Sequence, residues 1–194
     1  MKPCFVLLAA ALCISAQDSG GQATTGNPEA VVAALQLKPG MTVVQIGTGM
    51  GFMLPYLSKA VGPTGLVLAE DTQPEFLEQV RQKIVSEKLT NVTLIQGTDT
   101  DPKLPDGKLV DAILLLDAYQ RVAFPLQMVP AMRWLRFGRP LVVVESYKVG
   151  NLDRNGVVSA LRHQLGAYYD LTSQVEHVSE NQYLVSFERV LGVH

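Results

Sequence analysis

From Asn27 onward, short apolar runs of β type alternate with longer stretches at helical spacing. An alternation of that kind builds a parallel α/β sheet. The plainest strand is Ala112-Ile113-Leu114-Leu115-Leu116, bracketed by Asp111 and Asp117, because five consecutive apolar residues need cover on both faces. Ahead of it, Asn27 caps a helix that opens on Pro28 and runs to about Gln36. A strand over Thr42 to Ile46 precedes the loop Gly47-Thr48-Gly49-Met50-Gly51 and a helix to about Val61. Leu66 to Ala69 is a second strand ending in Glu70-Asp71, and Pro74 opens a helix with Phe76, Leu77, Val80 and Ile84 at helical spacing. Val92 to Ile95 is the third strand, and Gly97 to Gly107, rich in Asp, Thr and Pro, is a loop. Further on, the pattern predicts a helix over Pro125 to Arg136, a strand over Pro140 to Val144 and a last long helix over Val157 to Tyr169. Gln174 to Val178 and Tyr183 to Val190, joined by Ser179-Glu180-Asn181-Gln182, form a hairpin.

The first 16 residues stand apart from this pattern and read as an export signal. Lys2 gives a positive start, Phe5 to Ile14 is an apolar run of ten, and Ser15-Ala16 supplies small residues before a polar stretch. Ten apolar residues are too few to span roughly 30 Å of hydrocarbon, so no stable membrane insertion is expected once the signal is removed. The competing reading is an N-terminal helix of the domain. Residues 17–26 read as a flexible linker and residues 27–194 as one domain. The expected location is outside the cytoplasm, periplasmic or secreted. Anchoring through lipid at Cys13 fits less well, because Leu12 rather than a small residue precedes it. Cleavage after Ala16 removes both cysteines, which takes thiol catalysis, thiolate metal ligation and disulfides out of consideration. It also removes Lys2, taking the formal charge from -2 to -3. A chain so nearly balanced lacks the basic surface that a nucleic-acid partner requires.

Open α/β sheets bind ligands outside the carboxyl ends of their strands, where the strand order reverses. The residues to weigh are therefore Gly47 to Gly51, Glu70-Asp71, Gly97 to Asp101, Asp117 to Arg121 and Glu145 to Lys148. A glycine-rich loop between strand and helix lets a ligand approach the backbone, and the helix N–H groups point at it. An acidic pair closes the next strand 20 residues beyond Gly51 and suits the two hydroxyls of a ribose, so the combination predicts a nucleotide-like ligand.

The run Leu37 to Gly51 resembles the first motif of class I S-adenosylmethionine-dependent methyltransferases. Val61-Gly62-Pro63-Thr64-Gly65, Gln73-Pro74-Glu75, Leu89-Thr90-Asn91-Val92 and Asp101-Pro102-Lys103-Leu104-Pro105 agree with it. Over Asn27 to Tyr147 the chain is similar to the small-molecule branch that includes quinone-biosynthesis methyltransferases. The resemblance implies a Rossmann-like α/β fold: a seven-stranded, mostly parallel sheet with an antiparallel last strand and helices on both faces. It implies S-adenosyl-L-methionine as cofactor, with Gly47, Thr48, Gly49 and Gly51 around its methionine end and Asp71 on the ribose, Glu70 being the available substitute. Gln45 stands where relatives usually carry an acid; its amide can still accept a hydrogen bond but brings no charge. Thr98 and Asp99 fall where relatives contact the adenine. Asp117 and Tyr119 keep the Asp-x-Tyr pattern after the fourth strand, while Gln120 and Arg121 replace a His pair.

Methyl transfer from a sulfonium is an in-line displacement in which the protein chiefly aligns and desolvates. Asp117 and Tyr119 are accordingly the catalytic candidates, Asp117 also serving the cofactor, with Glu145 as either a further candidate or a solvated strand-end charge. No His lies at a strand's carboxyl end; His163, His177 and His194 read as structural or solvated. No metal-ligand spacing is present. The expected acceptor is a small or lipid-like molecule, and the sequence is silent on oligomeric state. Two alternatives stay open: a degenerate, non-catalytic member that keeps the fold as a binding module, and an NAD-dependent oxidoreductase, whose glycines are spaced G-x-G-x-x-G rather than G-x-G-x-G. Arg133, Arg136 and Arg139 around Trp134 read as a solvated helix end, Met128 and Met132 as core filling, and Asn91-Val92-Thr93 as a coincidental glycosylation pattern.

Overall fold

A computed structural model describes residues 25–117, 133–149, 152–165 and 174–188. The elements run α1 (Pro28–Ala34), β1 (Thr42–Ile46), α2 (Leu54–Val61), β2 (Leu66–Asp71), α3 (Pro74–Ser86), β3 (Val92–Gln96) and β4 (Ala112–Leu116). They continue with β5 (Pro140–Ser146), β6 (Lys148–Val149), β7 (Leu152–Asp153), α4 (Arg154–Leu165), β8 (Gln174–Ser179) and β9 (Gln182–Glu188). The main sheet has seven strands in the order β3-β2-β1-β4-β5-β9-β8. The first five are parallel, and β9 runs antiparallel between β5 and β8. The fold is thus the Rossmann-like sheet expected. Its strand order reverses between β1 and β4, where Ile46 pairs with Leu115.

Side chains alternate across the sheet and feed two cores. Val43, Val67, Ala69, Leu114 and Val144 face Val31 of α1, Leu54, Leu57 and Val61 of α2 and Val80 of α3. Val44, Ile46, Leu68, Ile113, Leu115 and Val143 face the other way, against Leu104, Trp134, Leu135 and Val158 of α4. Both layers need cover, which explains why β4 reads as an unbroken apolar run and is buried throughout. Among the described residues, the second layer has no helix between β3 and β4: residues 97–111 make that crossing, and Thr93 stays exposed. A cavity of about 470 Å³ opens there toward the amino ends of β1 and β2, lined by Thr42, Leu66, Leu68, Leu109 and Arg136.

Three expectations need correction. The helix expected to reach Arg136 does not include its last residues: Arg133 and Trp134 lie in a turn and Leu135 forms a parallel bridge to Val110. Val110 donates to the Trp134 carbonyl (2.8 Å) and Arg136 to that of Val110 (3.0 Å), so backbone pairing wins over helix there. The rest of that stretch, with Pro125, Met128 and Met132, lies outside the described residues, as do Tyr119, Gln120 and Arg121. Arg133 and Arg136 are exposed as expected, but on no helix end: Arg136 Nε is 3.2 Å from Asp111 Oδ1, Arg139 lies 3.9 Å from the same oxygen, and Arg133 stacks 5.3 Å over the Trp134 ring. α4 starts at Arg154, earlier than expected, because the short hairpin β6–β7 delivers the chain to it directly.

Candidate functional site

The loop after β1 takes its shape from its glycines. Gly47, Gly49 and Gly51 have φ values of 69°, 52° and 72°, in the left-handed region that side chains avoid. At Gly51 a β-carbon would come within 2.9 Å of Leu54 Cδ1 and 3.2 Å of Val80 Cγ2, so the loop can pack onto α2 and α3 only without one. Thr48 N–H donates to the Glu70 carbonyl (2.8 Å) and Gly51 N–H to that of Thr48 (2.9 Å). No side chain caps α2 at Met53, which leaves the first turn of that helix to the loop.

The acidic pair splits by strand geometry, since adjacent residues of β2 point to opposite faces. Asp71 Oδ2 accepts Gly49 N–H at 2.8 Å in a buried contact, and Oδ1 accepts Gln73 N–H at 3.0 Å. Each oxygen keeps lone pairs for a further donor. A hydrogen bond to a charged acceptor is worth about 1.5–3 kcal/mol, enough to fix the loop against the end of β2. Glu70 turns the other way. Its Oε2 accepts Gly47 N–H at 3.4 Å and its Oε1 lies so close to Gly97 that a β-carbon there would strike it. Burial, and then the neighbouring Asp71 and Asp101 charges, push the Glu70 carboxyl up from 4.5 to about 8 against the opposing pull of the Gly47 N–H. Glu70 is therefore a neutral acid at pH 7 that ties the loops after β1 and β3 together.

Beyond β3, Gly97 is buried and donates to the Asp71 carbonyl (3.1 Å). Thr98 closes a turn onto Asp101, donating its N–H to the Asp101 carbonyl (2.8 Å) and accepting the Asp101 N–H on Oγ1 (3.1 Å). Thr98 and Asp99 are exposed on that turn, next to the buried acids. On the far side of β1, Asp117 follows β4 with φ 46°. Its N–H donates to the Val144 carbonyl (2.9 Å), and its carboxylate stands 3.3 Å from Gln182 Nε2 and 3.5 Å from Ser146 Oγ. Glu145 is 1% exposed, so the reading of it as a solvated strand-end charge is wrong. It sits in the β5–β9 ladder opposite Tyr183. His163 is exposed on α4. Gln182 was not legible as a site residue: it is 65 positions from Asp117, and its only sequence signal is a place in a hairpin turn.

Gln45 lies in β1 opposite Ala69 and Leu114, fully buried, and neither atom of its amide has a hydrogen-bond partner among the described residues. The same is true of Thr48 Oγ1. A buried polar group left unpaired costs about 1–3 kcal/mol, so the polar complement of this loop is incomplete in the ligand-free chain. An anionic rim, a glycine cradle and orphaned amide and hydroxyl groups fit a cationic nucleoside such as S-adenosylmethionine. Gln45, Gly47, Thr48, Gly49, Gly51, Asp71 and Asp117 would hold it, its ribose on the Asp71 side and its amino-acid end toward Asp117.

Comparison with known proteins agrees with this geometry. Residues 8–122 match the family model described as Protein-L-isoaspartate(D-aspartate) O-methyltransferase (PCMT). A protein-L-isoaspartate O-methyltransferase of Ignicoccus hospitalis is 32% identical over 92 residues, covering 47% of this chain and 43% of that protein. A tRNA (adenine(58)-N(1))-methyltransferase of Thermus thermophilus is 35% identical over 98 residues, 50% of this chain and 34% of that protein. The chain thus spans less than half the length of these curated relatives. Among solved structures, a SAM-dependent methyltransferase from Aquifex aeolicus superposes with a TM-score of 0.72 at 28% identity, covering 84% of this chain and 89% of that one. The first two act on protein and tRNA by name, and no name among the three mentions quinone biosynthesis.

Proposed function

The chain belongs to the Protein-L-isoaspartate(D-aspartate) O-methyltransferase (PCMT) family, and on that premise we propose that it transfers a methyl group from S-adenosyl-L-methionine to a small or lipid-like acceptor outside the cytoplasm. The observation that carries the cofactor reading is the buried 2.8 Å bond from Gly49 N–H to Asp71, which welds the glycine loop to the acid at the end of the neighbouring strand. The cofactor brings the transferable methyl on a sulfonium. Asp71 accepts ribose hydroxyls on the lone pairs that Gly49 and Gln73 leave open, and Asp117 sets a negative charge beside the glycine loop. The rest of the work is alignment and exclusion of water, for which Asp117 is the candidate among the described residues and Tyr119 the candidate that the sequence adds. G-x-G-x-G spacing and the family match both disfavour a nicotinamide cofactor.

An uncharged acceptor suits the acidic edge formed by Asp117, Asp71, Asp101 and Asp99 better than a polyanion does. The family description itself favours a second reading, in which the acceptor is the carboxylate of an isoaspartyl residue. Calorimetry with S-adenosylmethionine and with NAD tests the cofactor: binding of the first and not the second is expected, and Asp71→Ala should weaken it at least tenfold. Binding of neither ligand would leave the non-catalytic module. Release of S-adenosylhomocysteine with isoaspartyl peptide, compared with quinol and lipid-extract acceptors, separates the two acceptor classes. Export rests on the N-terminal apolar run, inside which the family match begins. Mass spectrometry of the mature N-terminus should find residues 1–16 removed; their retention would favour the domain-helix reading.

A further inference from the structure

We propose that Gln182, in the C-terminal hairpin, is a positioning residue that aims the Asp117 carboxylate at the amino-acid end of the cofactor and links that aim to the seating of the chain at Thr25-Gly26. The inference rests on the cofactor reading above. Three strands meet at this point: Asp117 follows β4, Ser146 ends β5 and Gln182 begins β9. Ile46 of β1 pairs with Leu115, so Asp117, two residues on, stands beside the start of the glycine loop. Its backbone is held in the left-handed region by the 2.9 Å bond from its N–H to the Val144 carbonyl, which leaves side-chain donors to set the direction of its carboxylate. Gln182 Nε2 stands 3.3 Å from that carboxylate, nearer than Ser146 Oγ at 3.5 Å.

A primary amide has one donor end and one acceptor end, so Gln182 can serve Asp117 in a fixed sense only if its oxygen is occupied. It is occupied by the N–H of Gly26, 3.4 Å away. Gly26 comes this close because it lacks a side chain: a β-carbon there would lie 2.7 Å from Ser179 Cβ, at the turn of the same hairpin. Thr25, Gly26 and Gln182 thus form a contact in which Thr25 and Gln182 are both more than nine-tenths buried. With the segment ahead of α1 seated on the hairpin, the Gly26 N–H favours the sense of the amide that points its nitrogen at Asp117. The order of the chain therefore matters to the cofactor site through a residue that need not touch the cofactor.

The test compares two ligands on the full chain by calorimetry. S-adenosylmethionine carries the ammonium that Asp117 would face, and 5′-methylthioadenosine has the same nucleoside without the amino-acid end. Gln182→Ala should weaken S-adenosylmethionine about tenfold and leave methylthioadenosine within twofold. Gly26→Ala, which does not alter the amide itself, should show the same selective loss. In the Asp117→Asn background, Gln182→Ala should add less than twofold, because its effect passes through that carboxylate. Equal loss for both ligands would mean a general packing role and would overturn the proposal. So would undiminished S-adenosylmethionine affinity in Gln182→Ala. Failure of the parent chain to bind either ligand would instead overturn the cofactor reading on which the proposal stands.

Discussion

Replacing Glu70 by Gln should make the protein more stable at alkaline pH and remove a specific pH dependence from its unfolding. The native carboxyl titrates at about 8 rather than 4.5, first because it is desolvated and then because Asp71 and Asp101 lie near it. Between those two values the folded chain binds a proton that the unfolded chain has released. Stability must therefore fall as pH rises, starting above 4.5 and levelling off near 8. At about 1.36 kcal/mol per pH unit the full loss is on the order of 5 kcal/mol, of which about 3 kcal/mol falls between pH 5.5 and 8.5. The neutral amide of Gln keeps an acceptor for the Gly47 N–H, now 3.4 Å from Glu70 Oε2, and cannot ionise. Every other titrating group is common to both chains, so the difference between variant and parent isolates Glu70. Urea unfolding at half-unit steps from pH 5.5 to 9 should show Glu70→Gln gaining about 3 kcal/mol on the parent across that range. A difference that stays flat to within about 0.5 kcal/mol would refute the assignment of a buried neutral acid at this position.

Gly97→Ala should destabilise by about 2 kcal/mol or more, because its β-carbon takes the place of Glu70 Oε1; pairing it with Glu70→Ala should return part of that loss in the same unfolding assay. Asn91→Ala should cost about 2–3 kcal/mol in denaturant titration, since the side chain accepts from Ser58 Oγ (2.6 Å) and donates to the carbonyls of Ser58 (3.1 Å) and Gly62 (2.7 Å) at the end of α2. The same bonds occupy the amide nitrogen that a glycan would need, so intact-mass measurement should find Asn91 unmodified. Gln45→Met should raise the stability of the ligand-free chain by about 1–3 kcal/mol by removing an unpaired buried amide, while S-adenosylmethionine affinity drops; a variant that gained nothing in thermal unfolding would show the amide to be satisfied. Raising salt should weaken S-adenosylmethionine more than S-adenosylhomocysteine in calorimetry, because only the former carries the sulfonium charge toward the acidic strand ends.

Most of the scaffold was legible because local chemistry and global fold point the same way. Asn27 and Pro28 do open a helix, with Asn27 Oδ1 accepting the Ala30 N–H at 3.0 Å. The unbroken run of β4 does lie at the centre, and the hairpin does close the sheet antiparallel. What was not legible depends on pairs distant in sequence. Arg136 and Arg139 read as a solvated helix end because nothing near them in the chain announces Asp111. Glu145 read as ambiguous because β5 was ended at Val144; the strand runs on to Ser146, paired with β9, and takes the side chain inside. Gln182 carried no signal beyond its place in a hairpin turn.

Glu70 and Asp71 were treated as interchangeable, yet the period-two rule already separates them, since neighbours in a strand cannot serve the same face. The structure gives each a distinct environment. Asp71 accepts two backbone N–H groups, while Glu70 is held neutral by burial. One consequence concerns Gln45. With an acid at that position and Glu70 also ionised, the base of the glycine loop would hold two further negative charges out of water, at a desolvation cost. With Gln45 and a protonated Glu70, the base of the glycine loop is neutral, and the acids beside it are Asp71 and the outer residues Asp99, Asp101 and Asp117. A cation arriving at the strand ends then meets its counter-charges at the rim, where they attract it without having to be buried unpaired beforehand. The loss of an acid from β1 is on this reasoning compatible with binding a sulfonium nucleoside, because the charge that would recruit it lies in the carboxylates ringing the loop and not in the strand beneath.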